Sequence, residues 1–249
     1  MLLALALACS DPQTLNVNAA DAFGNPIESA QIKLPTGEPV TTDSKGAASF
    51  EVTPGNLEVM AGKEGFIPEY ANVVVPAEGD PDALNFVLFF QPEKVGFYGV
   101  GAGDYLALGP EKIRTVASDK STWHGLENVP DQALPGGQPQ RFVFQSGLRA
   151  SELKQQNLTL SKLKFLETAE VVGVLGKTDV ELDLWVADTD HAFEIKGTQA
   201  KDNYLIVTSE PLAPGFYAFH AQGILKATEA ESLSKLPKEM QVAFPFEVK

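Results

Sequence analysis

The sequence predicts an all-β protein: two β-sandwich-like domains in tandem. Three observations carry that expectation. Short segments in which apolar and polar residues alternate recur along the chain, the pattern of half-buried strands. Clusters of Gly, Pro, Asn and Asp interrupt those segments at short intervals, as turns between strands do. The composition also shifts near residue 91. Residues 10–90 hold 12 acidic and 3 basic side chains, a net charge of −9, whereas residues 91–249 hold 21 acidic and 16 basic, a net of −5. Every arginine and all three histidines lie in the second part, which marks a second domain.

The elements follow in order. Thr14-Leu15-Asn16-Val17-Asn18-Ala19 alternates with period two and opens the first strand. Phe23-Gly24-Asn25-Pro26 reads as a turn, with Gly24 and Asn25 the residues that tolerate positive φ. Ile32 and Leu34 alternate with Gln31 and Lys33. In TTDSKGAASFEV, Asp43 can bond the backbone of its own turn and Gly46 closes it. A strand then runs through Phe50 and Val52. Pro54-Gly55 reverses the chain into a strand through Leu57, Val59 and Ala61. Gly65-Phe66 starts the next turn, and Val73, Val74, Val75 and residues 86–90 complete the set. Phe50 and Leu57 are expected to fill the space between two sheets.

The ordered run GNPIESAQIKL…TTDSKGAASFEVTPGNLEVMAGKEGF, within residues 14–90, resembles the carboxypeptidase regulatory-like domain family. The resemblance implies a transthyretin-like sandwich of about seven strands. It also implies an accessory role in folding, spacing or recognition rather than peptidase activity.

Gln91-Pro92 reads as a linker. Strands are expected over residues 95–100, 105–108, 142–144, 158–166, 180–186 and 242–248, with a loop at 134–140, where LPGGQPQ cannot continue an element. Pro245 confines the last strand to an edge or a bulge. LAPGFYAFHAQG repeats the Pro-Gly turn and alternating strand of the first part. Thr228-Glu229-Ala230-Glu231 is expected to cap a short helix through Leu236.

The formal net charge of −14 argues against nucleic acid as a partner and against electrostatic docking on anionic lipid. Gly99-Val100-Gly101-Ala102-Gly103 sits in a β pattern with no helix after it, so a phosphate has no helix N-terminus to bind. His191 and Glu194 have the H-x-x-E spacing of a zinc-ligand pair, with His220 the nearest third ligand, but the βα alternation of an α/β peptidase is missing. Asp179, Asp183, Asp188 and Asp190 form an acidic cluster, either an incidental calcium site or solvated strand acids. Neither metal nor cofactor is expected. With Val180, Leu182, Leu184 and Val186 facing the core, Trp185 shares the outer face with Glu181 and Asp183. There it either anchors a partner or packs under a neighbouring segment. Trp123-His124-Gly125, in an expected loop, carries the same two readings. The expected binding surface is therefore Trp185, Trp123, His124, Asp188, Asp190 and His191.

At the N-terminus, MLLALALACSDP places an apolar run too short to span a bilayer before Cys9, the only cysteine in the chain. The run fits the end of a secretory signal. Ala6-Leu7-Ala8-Cys9 resembles a bacterial lipobox, which implies that the Cys9 thiolate takes a diacylglycerol with palmitate-type chains and becomes the first mature residue. Ser10, where a retention aspartate could stand, implies the outer membrane. The expected plan is a signal at 1–8, a tether at 9–13, a regulatory-like sandwich at 14–90 and a second β-rich domain at 91–249. The expected role is that of a lipoprotein of the bacterial cell envelope, non-catalytic, held to a membrane by its lipid and binding a protein or glycan partner. A carbohydrate-binding lipoprotein is the alternative and a metal-dependent hydrolase the third reading.

Overall fold

A computed structural model describes residues 13–118, 121–147, 158–173, 176–225 and 241–249. Cys9 with its preceding run, and the helix expected through Leu236, lie outside the described residues. The described residues form 19 strands and no helix, so the all-β expectation holds. The chain divides into two compact units. One comprises Met1–Gln91 and Thr198–Lys201, the other Pro92–Gly197 and Asp202–Lys249.

The first unit contains β1 (Gln13–Asp21), β2 (Gln31–Lys33), β3 (Val40–Thr41), β4 (Ala47–Val52), β5 (Gly55–Gly62), β6 (Glu69–Val75) and β7 (Leu84–Leu88). They form two sheets, ordered β4-β1-β7 and β3-β2-β5-β6. Only β1 and β7 run parallel. The period-two pattern sets the packing: Leu15, Val17, Phe50, Val52, Phe86 and Leu88 from one sheet meet Ile32, Val59, Ala61 and Val75 from the other in a single core. Leu57 is half-buried against that core.

Turn chemistry fixes the registers. The Asp43 carboxylate accepts hydrogen bonds from the Ala47 and Lys45 amides at 2.9 and 2.8 Å. Those donors, Ala47 first, hold its carboxyl below the usual carboxylate range. Gly46 adopts φ 75°, and its carbonyl accepts the Ala19 amide at 2.8 Å. Gly24, at φ 85°, takes the left-handed conformation expected of it. Asn25 does not. Its backbone and side-chain N–H groups both donate to the Asp21 carboxylate, at 2.9 Å each, so it contributes donors rather than a left-handed backbone.

The second unit contains β8 (Gly96–Val100), β9 (Tyr105–Leu108), β10 (Glu111–Ala117), β11 (Thr122–Leu126), β12 (Ala133–Leu134), β13 (Pro139–Gln145), β14 (Leu158–Gly173), β15 (Gly176–His191), β16 (Phe193–Gly197), β17 (Asn203–Pro211), β18 (Gly215–Ala221) and β19 (Val242–Val248). One sheet has the order β16-β17-β13-β8-β9. The other has the order β10-β11-β15-β14-β18-β19-β12, and β10 also pairs with β19 through Glu111↔Ala243 and Lys112↔Val242. Six strands therefore close into an antiparallel ring, which removes two open sheet edges. This closure joins strands far apart in the chain and leaves no mark in local alternation.

The outer face of the ring packs on the five-stranded sheet, and this is the sandwich-like part of the unit. Leu160, Tyr217, Phe219, Phe246 and Val248 meet Phe97, Phe142, Phe144, Tyr204 and Ile206. Phe97 stacks between Phe144 and Phe219 at centroid distances of 4.0 and 4.6 Å. All six strands contribute to the inner core, through Ile113, Leu126, Leu163, Trp185, Ala187, Ala218 and Ala243. The alanines suit a narrow ring, whose interior has little room for large side chains.

Pro245 takes a one-sided position. It pairs with Ala218 of β18, but on its other flank β10 reaches only Val242 and Ala243 and β12 only Glu247 and Val248. The missing N–H falls where the strand is locally an edge. The expected loop at 134–140 is shorter than its sequence suggested, since Leu134 closes β12 and Pro139 opens β13.

Candidate functional site

The long hairpin of β14 and β15 carries most of the chemistry-bearing side chains, and two register shifts decide where they point. The pairing moves from Leu166↔Leu184 to Thr168↔Glu181, accommodated by Asp183 at φ 47°. Aspartate tolerates that left-handed conformation better than most residues. The second shift lies between Leu163↔Ala187 and Lys162↔Thr189, where Asp188 is the extra residue. One extra residue turns every later side chain to the opposite face. Trp185 and Ala187 face the inner core, and after the bulge it is Asp190 that faces inward.

Asp190 pairs with Ser161 of β14, whose hydroxyl lies 2.6 Å from its Oδ1. The same Oγ is 2.9 Å from Nε2 of His220 on β18, and His220 Nδ1 is 2.7 Å from the Ala221 carbonyl oxygen. Ser161 is 0% and His220 2% exposed, whereas Asp190 is exposed. A hydrogen-bonded line thus runs from a surface carboxylate to a buried imidazole, tying together β15, β14 and β18. The residue types are those of a Ser-His-Asp nucleophile set, but the order differs. In such a set the imidazole lies between acid and serine; here the serine lies between them and is sealed from solvent.

The other expected site residues are dispersed. Trp185 does face away from Leu184, as alternation requires, but that face is the interior of the ring and not an outer surface. It is half-buried between Phe216 and Phe165, at 4.7 and 5.4 Å, and it pairs with Leu126 where β11 meets β15. The three rings are tilted by 61° and 55° and make no flat platform. Trp123 is 4% exposed and packs with Leu182, Leu184 and Val186. It and His124 belong to strand β11, not to a loop. His124 is buried, with Nδ1 2.7 Å from Thr115 Oγ1, and burial pushes its imidazole below the ordinary value. Neither Trp123 nor His124 can serve as a binding surface.

Asp188, Asp190 and His191 form the end of β15 rather than a loop. Asp188 is exposed and bound to Lys164 at 3.0 Å, and this hydrogen-bonded ammonium holds its carboxyl low. His191 lies edge-on to Tyr217 at 5.4 Å, on the face opposite His220. Glu194 is exposed on β16. His191, Glu194 and His220 therefore do not converge. Among the described residues no three His, Cys, Asp or Glu side chains are grouped so as to hold a metal ion. The sequence reading missed Ser161 and the inward turn of Asp190, because a bulge leaves no local signal in composition. Compared with known proteins, the chain matches no family model, and no curated protein matches it.

Proposed function

We propose that the protein is an exported, lipid-anchored component of the bacterial cell envelope, acting as a non-catalytic binding or structural module. The observation that carries this reading is Ala6-Leu7-Ala8-Cys9, which follows an apolar run, precedes the polar Ser10-Asp11-Pro12 and holds the only cysteine in the chain. Residues 14–90 are read as a carboxypeptidase regulatory-like sandwich that spaces or presents the second unit. Two features of the fold agree with a structural role. The serine, histidine and aspartate that could suggest hydrolysis are spent on a tie across three strands. The tryptophans are spent on packing. The tilted rings around Trp185 give the glycan-binding alternative no stacking surface there. Ser10 in place of a retention aspartate favours the outer membrane.

The test is fractionation of the full chain, expressed with its leader in a bacterial host. Each buried CH₂ of an acyl chain contributes about 0.8 kcal/mol, so the several acyl chains of a lipidated Cys9 suffice for stable anchoring, where a single chain would bind only reversibly. The wild type is expected in the membrane pellet and the Cys9→Ala variant in the soluble fraction. Equal distribution of the two would remove the anchor from the reading.

A further inference from the structure

We propose that the open edge of β6 pairs with the same strand of a second copy of this chain, antiparallel, about a twofold axis through Asn72. β6 ends its sheet, and its ladder is with β5 alone. Every second residue of an end strand turns its N–H and C=O outward, away from the sheet. From Tyr70 to Val74 those outward groups meet no hydrogen-bond partner among the described residues. End strands are ordinarily blunted by brevity, by charge, by proline or by a bulge. β6 has seven residues, pairs with β5 without a register shift and carries one charge, Glu69, at its first position. Tyr70, Asn72 and Val74 lie on its solvent side, and Val74 is 70% exposed. An unblunted edge with apolar side chains beside it is a template for one more strand.

The residues that bound β6 point to a second copy as the added strand. Pro68 and Pro76 bracket the strand and stand equally far from Asn72. A proline within a ladder removes a donor. Only a register centred on Asn72 pairs all seven residues of both copies and leaves every proline outside. Moving the axis by one or two residues sets Pro68 or Pro76 inside the ladder. In the centred register, Tyr70 lies opposite the second copy's Val74, and Asn72 lies opposite its own counterpart. Aromatic–β-branched pairs and facing amides of this kind stabilise antiparallel strands. On the inner side, Ala71 and Val73, half-buried against the core of the unit, lie opposite the second copy's Val73 and Ala71. The chain carries a net charge of −14, which sets two copies against each other. The register keeps the charge of the strand itself out of the contact, because Glu69 and its counterpart stand at opposite ends, about 20 Å apart along the strand. Strand pairing alone covers little area, which puts the association at the weak, transient end of protein interfaces.

The experiment is disulfide trapping in the full chain carrying Cys9→Ala, which leaves each introduced thiol as the only one and makes the result independent of the lipid anchor. Directly opposed residues of an antiparallel pair have Cα atoms about 4.5–5.5 Å apart, within reach of a disulfide. Under mild oxidation, Asn72→Cys is expected to form covalent dimers on the order of tenfold faster than Tyr70→Cys or Val74→Cys alone, whose own counterparts lie about 14 Å away along the strand. Mixing Tyr70→Cys with Val74→Cys is expected to restore the fast rate in the mixed dimer, since those two positions face each other. All three positions are exposed, so the substitutions leave the core of the unit intact. Equal rates for the three single variants would mean random collision and would overturn the proposal. A fastest rate at a position other than 72 would overturn it as well. So would the absence of covalent dimers from every variant and from the mixture, the result expected of an edge kept for a strand of a different protein.

Discussion

Phe219→Ala is expected to destabilise the second unit by about 3–5 kcal/mol. Phe219 is 0% exposed and stands where the ring meets the five-stranded sheet. Its ring lies 4.6 Å from Phe97, 5.0 Å from Phe142, 5.7 Å from Phe193 and 5.9 Å from Phe246. Truncation removes the transfer free energy of a whole aromatic side chain and leaves a void. Strand-bound neighbours on both sheets cannot collapse into it, which puts the cost at the upper end of the usual range. Both tryptophans, Trp123 and Trp185, belong to this unit. Their emission in a urea titration therefore reports on it directly. The midpoint should fall with the slope unchanged. A loss under about 1 kcal/mol would show that Phe219 does not join the two sheets.

Gly46→Ala is expected to cost the first unit roughly 2–4 kcal/mol, from two separate causes. The backbone at φ 75° is strained for any residue with a Cβ. The added Cβ would also collide with the carbonyl oxygen of Ala19 and come within 3.2 Å of the Ile27 nitrogen. That carbonyl accepts the Ile27 amide at 2.9 Å, while the Gly46 carbonyl accepts the Ala19 amide. The clash therefore falls on the hydrogen bonds that join β1 to the turn before β4. Gly24→Ala separates the causes, since Gly24 has φ 85° but nothing within 4 Å of its Cβ position. It should lose only about 1–2 kcal/mol of backbone strain. Native-state hydrogen exchange at Ala19 and Ile27 should quicken on the order of a hundredfold in Gly46→Ala and distinctly less in Gly24→Ala. Equal acceleration in both would show that the collision plays no part.

The two units differed in how far their sequences could be read. In the first, one face of most strands is buried and the other wet, so Leu15, Val17 and Phe50 stand out against Asn16, Asn18 and Ser49. Asp43 and Gly46 announced their turn because their chemistry is local. In the second unit β11 was mistaken for a loop. Trp123, His124, Gly125 and Leu126 are all buried, and a strand covered on both sides shows no polar–apolar alternation. β10 failed for the opposite reason, having no fully buried residue. Alternation placed Trp185 correctly on the face opposite Leu184. It could not say that this face lines a closed ring, because closure depends on β10 meeting β19 across more than a hundred residues of chain. The same limit hid the hydrogen-bonded line from Asp190 through Ser161 to His220. Asp188 shifts the parity of β15, and only the paired strand shows that Asp190, rather than Thr189, turns inward.

The lipid anchor is tested most directly by the intact mass of the N-terminal peptide from protein purified out of native membranes. A tethered protein predicts a chain beginning at Cys9 and heavier than its sequence by a diacylglyceryl group and an amide-linked acyl chain. A peptide beginning at Met1 with a free Cys9 thiol would contradict it.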